Sequence, residues 1–272
     1  MKTLTIVTTG GPKDWPKPVQ AGIQSTVKNW PGHAKILLYP DDMSQQLDLP
    51  RTEYYDLCKE QPKLKEFIAR HKNNPKYNPR IKQNNKERKD FDKNTQIYIY
   101  DCVRFSYKVF ACIDAYQRTK PDMLWFLDAD IVTFEKIPMS WLEHIIPDTA
   151  FTSYLGRPKK GFSETGFITF NLKMPESKKF FARWKEYYTK DLWQNLQGFT
   201  DSYTYDAARI DTTNRSLDND LNDGRYLGLR GSKHPFVNSE LGDYMDHLKG
   251  ERKDIQSSVE DMKVKRQDAH WQ

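Results

Sequence analysis

Apolar positions along the chain follow two periods. "LTIVTT" (4–9) is a β-branched run ending at Gly10-Gly11, and "AKILLY" (34–39) is a second ending at Pro40-Asp41-Asp42. Runs of this length bounded by turn residues predict strands. Between them Val19, Ile23 and Val27 recur every fourth residue, a helical spacing. Strand, helix and strand within about 40 residues predict a right-handed parallel crossover, the way α/β nucleotide-binding folds begin. Residues 51–69 read as a mixed helix carrying Tyr54, Tyr55, Leu57, Leu64 and Phe67. Asp101 is the predicted N-cap of a helix with Phe105, Val109 and Ile113 on one stripe, so Arg104 and Lys108, four apart, share a face. "MLWFL" (123–127), "AFTSYLG" (150–156) and "GFITFNLK" (166–173) read as strands, and "SKKFFARWKEYYTKDLW" (177–193) as an amphipathic helix. Residues 198–235, rich in Asp, Asn, Gly and Ser, predict loops.

Composition narrows this picture. The chain has 272 residues, 37% hydrophobic and 13% aromatic, enough for a core without staples. The expectation is an α/β fold with a mixed, mostly parallel sheet flanked by helices: one domain over 1–250 and a polar tail, a docked helix or partly disordered, over 251–272. Mean hydropathy is −0.86 and no apolar run reaches about 18 residues, which argues against a membrane-spanning helix. The opening "MKTLTIVTTGG" is too short in its apolar part for a signal peptide. Cys58, Cys102 and Cys112 are odd in number and lack C-x-x-C spacing, so neither a disulfide framework nor a thiolate zinc site is expected, and a reducing cytoplasm, bacterial or in a phage-infected host, is the expected compartment. Residues 70–93 hold nine Lys or Arg against three acids, an excess equal to the +6 of the whole chain. With its Asn and Pro content this stretch predicts an exposed basic insertion over about 70–95.

The candidate chemistry begins with "MLWFLDADIVTF" (123–134), where Asp128 and Asp130 interrupt an otherwise apolar run. D-x-D at the carboxyl end of a buried strand places two carboxylates where open α/β sheets bind ligands, and two adjacent anions call for a cation between them. The pairs Asp90/Asp92 and Asp218/Asp220 repeat the pattern in polar stretches, where solvated turns explain them. Far downstream, "DHLKGERK" supplies His247, Gly250 and Lys253 at intervals of three.

D-x-D after a hydrophobic strand, joined by a distant H-x-x-G-x-x-K, resembles the glycogenin-like and bacterial lipopolysaccharide galactosyltransferase family, retaining enzymes of the GT-A fold. The resemblance implies that Asp128, Asp130 and His247 bind Mn²⁺ (or Mg²⁺), and that Gly250 and Lys253 contact the diphosphate of a UDP-sugar donor. One imidazole among oxygen ligands suits Mn²⁺ better than Ca²⁺. Three departures stand beside the match: Asp254-Ile255 follows Lys253 where the family has Pro-Trp, Asp201-Ser202 replaces an Asp-Gln pair, and Glu164-Thr165-Gly166 replaces Asn-x-Gly. In this reading Thr8, Thr9 and Gly10 border the nucleoside, and Arg104 and Lys108 add charge from their helix unless that face is simply solvated. Asp201, Glu164 and Asp206 are candidates to stand beside the sugar.

The basic insertion suggests an anionic acceptor. One form is DNA carrying a hydroxymethylated base, with Tyr77 or Phe91 stacking on bases; another is an anionic glycan or lipid surface such as lipopolysaccharide; a solubilising loop is the third reading. Two other classes compete with a transferase of sugars. A nucleotidyltransferase also uses aspartates and a metal, but "TTGGPKDW" only faintly echoes its Gly-rich phosphate loop. A non-catalytic nucleic-acid-binding module explains the insertion and leaves Asp128, Asp130 and His247 without a role.

Overall fold

The structure, a computed structural model, describes residues 2–10, 19–44, 46–79, 99–157, 162–222 and 234–272. Its centre is β4 (Met123–Leu127), buried at all five positions. β4 lies beside β1 (Leu4–Gly10), which is followed outward by β2 (Lys35–Pro40) and β3 (Thr52–Tyr54), all parallel. On its other side come β7 (Glu164–Asn171), β6 (Thr152–Leu155) and β8 (Asp218–Asp220), giving the order β3-β2-β1-β4-β7-β6-β8. β7 is antiparallel to both β4 and β6, and β8 is parallel to β6, so β7 runs against the other six strands. A separate ribbon pairs β5 (Ile131–Thr133) antiparallel with β9 (Met245–His247).

Helices cover both faces of the sheet, and the strands bury alternate residues accordingly. Val7, Leu37, Tyr39, Leu124, Phe126, Ile168 and Phe170 enter one core with α3 (Pro62–His71), α4 (Cys102–Thr119), α6 (Glu176–Thr189) and α7 (Asp201–Thr212). Ile6, Ile36, Leu38, Trp125, Leu127 and Phe167 enter the other, with α1 (Gln20–Asn29) and α5 (Met139–Ile145). The predicted crossover β1–α1–β2 is present. α4 begins where expected, the Asp101 carboxylate accepting the Arg104 N–H, and buries Phe105, Val109 and Ile113.

Three expectations are corrected. The helix expected over 51–69 is instead β3, the short α2 (Leu57–Glu60) and α3, because Asp56 caps α2 and Pro62 opens α3. α3 also takes in Arg70 and His71, the first residues of the basic stretch. Residues 198–235 are not all loop: 201–212 form α7, held by polar contacts in which the Thr204 hydroxyl meets Trp184 Nε1 (3.1 Å) and Tyr188 Oη (3.2 Å). Asp218 and Asp220 are not turn residues but lie on β8, where Asp218 pairs with Arg209 and Asp220 accepts the Gly156 N–H at 2.7 Å. In the tail, α8 (Arg252–Ile255) is one turn long, Ile255 and Val259 are exposed, and Trp271 is buried in the core. Among the described residues no helix is long and apolar enough to cross a membrane.

Candidate metal centre

The Asp128 N–H donates to Gly166 O (2.8 Å), extending the β4–β7 ladder past Leu127, and the chain then turns, the Ile131 N–H donating to Asp128 O (3.0 Å). The turn sends the chain into β5, whose pairing with β9 sets Ile131 opposite His247, while the Leu248 N–H donates to Asp130 O at 3.0 Å. Ribbon register thus carries a histidine from far along the chain to the D-x-D turn. His247 Nε2 is 3.2 Å from Asp130 Oδ1 and 3.5 Å from Asp128 Oδ2. One ligand atom from each of Asp128, Asp130 and His247 lies within 4.8 Å of the others.

These residues fit a divalent ion. His247 is completely buried: Nδ1 has no hydrogen-bond partner among the described residues, and Nε2 faces the two carboxylates without a well-aligned hydrogen bond to either. A buried imidazole without hydrogen bonds is costly unless something else satisfies it. Gly166, on the neighbouring β7, keeps the space open: a Cβ there would overlap His247 Cε1 and stand 3.0 Å from Asp128 Oδ2. Gly166→Ala is therefore expected to keep the fold but weaken Mn²⁺ binding by about 10-fold or more, measured by titration with the free ion; wild-type affinity would sink the assignment.

Cations surround the carboxylates. Lys108 on α4 is buried, with Nζ 2.8 Å from Asp128 Oδ1, 2.9 Å from Asp201 Oδ2 and donating to Thr165 O at 2.8 Å. Lys253 Nζ is 3.0 Å from Asp130 Oδ2. Burial alone would push both aspartates toward the neutral form, but the charges beside them prevail. Lys108 and His247 hold Asp128 well below the usual carboxylate range, and His247 and Lys253 bring Asp130 down to about 2. Burial, aided by the Arg157 charge, draws Lys249 down to about 7 despite the nearby aspartates.

The other predicted residues divide. Asp201, the first residue of α7, joins the cluster through Lys108 and accepts a 2.6 Å hydrogen bond from the Thr165 hydroxyl. Glu164 is held by Arg157 and Lys249 and accepts the Gly166 N–H at 3.1 Å. Asp206 accepts the Ser163 N–H and hydroxyl, both at 2.7 Å, and pairs with Arg209 at 3.0 Å, so it ties α7 to the approach to β7. Thr8 lines a small cavity together with Asp128 and Ala129, its hydroxyl buried; Thr9 follows it, and Gly10 O accepts the Asp41 N–H at 2.8 Å. Arg104 stands half-buried one turn before Lys108, and Gly250 has φ +59°, with open space around its Cα.

The solvated-face reading of Lys108 is corrected by its burial. The half-buried Tyr77 ring meets Trp193 edge-on at 4.7 Å, and also His71 and Phe199. Phe91, Asp90/Asp92 and residues 80–95 of the insertion lie outside the described residues, as do residues 11–18 with most of "TTGGPKDW". Lys249, Arg157 and Thr165 were not anticipated. Lys249 and Thr165 sit inside stretches already singled out, so their position was a usable signal; Arg157 had none.

No protein-family model matches the chain, and no curated protein matches it. Solved structures do. Mouse xyloside xylosyltransferase 1, in its apo form, aligns with a TM-score of 0.50 at 12% identity, over 90% of this chain and 97% of its own. The apo structure of the bifunctional glycosyltransferase WbbM gives 0.50 at 11% identity, over 92% of this chain and 46% of its own, so this chain spans about half of WbbM. At such identity the likeness speaks to architecture: the chain has the GT-A-like glycosyltransferase fold expected from D-x-D and H-x-x-G-x-x-K.

Proposed function

We propose that the chain is a glycosyltransferase that moves a sugar from a nucleotide sugar, a UDP-sugar, to an acceptor hydroxyl with Mn²⁺ or Mg²⁺ at Asp128, Asp130 and His247. One observation carries the reading. Two carboxylates and a completely buried imidazole converge within 4.8 Å at the carboxyl end of β4, on a sheet of GT-A-like order. When bound, the ion supplies a Lewis acid that offsets charge growing on the departing diphosphate.

The chain's own groups then take these roles. Lys253, already beside Asp130, contributes a point charge to the diphosphate, with Gly250 turning the backbone next to it. Thr8, Thr9 and Gly10 border the nucleoside at the end of β1. Lys108 orients Asp128 and Asp201 together, with Arg104 one turn away on the same helix. Asp201 is the carboxylate assigned beside the donor sugar, since it is joined to the cluster through Lys108.

Retention of configuration is the favoured outcome. Inversion needs a carboxylate base beside the acceptor hydroxyl, and each candidate is paired: Asp201 with Lys108, Glu164 with Arg157 and Lys249, Asp206 with Arg209. Such pairing occupies the carboxylate oxygens that a base would turn toward the acceptor hydroxyl.

The charge of residues 70–93 supports an anionic acceptor, DNA with a hydroxymethylated base or an anionic glycan or lipid. The three cysteines, all free, suit a reducing cytoplasm. The test is release of UDP from a panel of UDP-sugars, with Mn²⁺ or chelator, with and without hydroxymethylated duplex DNA. Metal-dependent release is expected. Stimulation by DNA selects that acceptor, and release without stimulation selects glycans and lipids. No release from any sugar overturns the proposal and returns the nucleotidyltransferase and binding-module readings.

A further inference from the structure

The strand that carries His247 is only three residues long and pairs with another three-residue strand. A two-stranded ribbon of that size is marginal by itself, yet it sets the imidazole against both aspartates. His234 Nε2–H donates to the His247 carbonyl at 2.8 Å, and further groups that fasten the strand come from the C-terminal segment. Asp246 points to the opposite side of β9 from His247, as strand alternation requires, and is completely buried. Its Oδ2 accepts the Ser258 N–H at 2.9 Å and the Nε2–H of His270 at 3.1 Å. The Ser258 hydroxyl donates to the His247 carbonyl at 3.3 Å.

His270 is itself held in place. Its ring stacks on Phe134, centroids 4.2 Å apart and planes within 4°, and the Phe134 N–H donates to Tyr244 O (3.0 Å) at the far end of the ribbon. Next to it Trp271 is buried and donates its Nε1–H to Gly242 O at 3.0 Å. Residues 258–271 thus close over β9 from the face away from the aspartates.

We propose that His270 is a positioning residue for the metal ligand His247: its bond to Asp246 and its stack on Phe134 lock β9 in place against β5. The inference rests on the metal-site reading given above. Metal–ligand distances in a well-formed site fall within about 0.2 Å of standard values, and loss of His270 would leave the buried Asp246 carboxylate, whose Oδ1 has no hydrogen-bond partner among the described residues, held by Ser258 alone. An under-paired buried carboxylate draws its strand toward water, and His247 is the next residue along.

Two measurements on wild type, His270→Ala and His270→Gln test this: Mn²⁺ binding by electron paramagnetic resonance, and amide hydrogen exchange in metal-free protein. His270→Ala is expected to speed exchange at Met245–Leu248 and to weaken Mn²⁺ binding roughly 10-fold or more. His270→Gln, whose side-chain N–H reaches the same carboxylate, is expected to restore most of both. Unchanged Mn²⁺ affinity in His270→Ala overturns the proposal even if melting temperature falls, because a merely structural role would produce that fall alone. Unchanged exchange over β9 overturns it without reference to metal. A wild-type protein that binds no Mn²⁺ instead overturns the metal reading itself, and the two failures are thereby told apart.

Discussion

His247→Ala and Asp130→Asn each lower Mn²⁺-dependent UDP release by about 100-fold or more, the loss expected when a few kcal/mol of transition-state stabilisation is removed. His247 supplies the single nitrogen of the cluster and is completely buried, with Nε2 turned toward both aspartates. Asp130→Asn keeps the side chain's shape while discarding the charge that His247 and Lys253 hold in the ionised form. Circular dichroism and thermal melting establish that both variants are folded, and release with and without chelator gives the effect. Wild-type turnover in either variant would remove that residue from the site.

Lys108→Met produces the largest loss of stability expected here, about 3–5 kcal/mol. The ammonium is buried between Asp128 and Asp201, 2.8 and 2.9 Å away, and also satisfies Thr165 O. Methionine fills a similar volume but leaves two carboxylates and a carbonyl without their donor. For a chain of this length the melting temperature should drop by roughly 10 °C. Adding Asp201→Asn to Lys108→Met should cost less than the sum of the two single changes, because residues sharing an ion pair couple. A drop of only one or two degrees for Lys108→Met would mean that solvent, not Lys108, neutralises these aspartates.

Much of the fold was legible because burial imposes a period. The strands near the centre of the sheet place successive residues in opposite cores, which gives the unbroken apolar run "MLWFL" and the β-branched run "LTIV", both of which stand out from their surroundings. Asp101 could be read as a cap because it only has to satisfy the first turn of α4. α7 escaped notice for the converse reason. It packs with Thr204, Tyr205 and Ala208 and is fastened by hydroxyls, so its buried face is partly polar and its composition looks like loop.

The candidate site divides along the same line. Asp128 and Asp130 were recognisable because carboxylates at the end of a buried strand cannot be explained by solvation, and His247, Gly250 and Lys253 stood out by spacing and resemblance. Neither the charge balance nor the supports of the site had a local signature. Whether Lys108 faces water or two aspartates depends on which face α4 turns to the sheet; whether Glu164 is free depends on Arg157 and Lys249 reaching it from two other segments. The polar composition of the tail likewise did not reveal His270 and Trp271 closing over β9. Sequence by itself determined strands β1, β2, β4, β6 and β7, helices α1, α4 and α6, and the residue types suited to a divalent ion, since each follows from local periodicity or residue chemistry. Only tertiary structure decided how those charges are paired and what holds His247 in place, because these are contacts between distant segments whose energies depend on burial and on distances of a few ångströms.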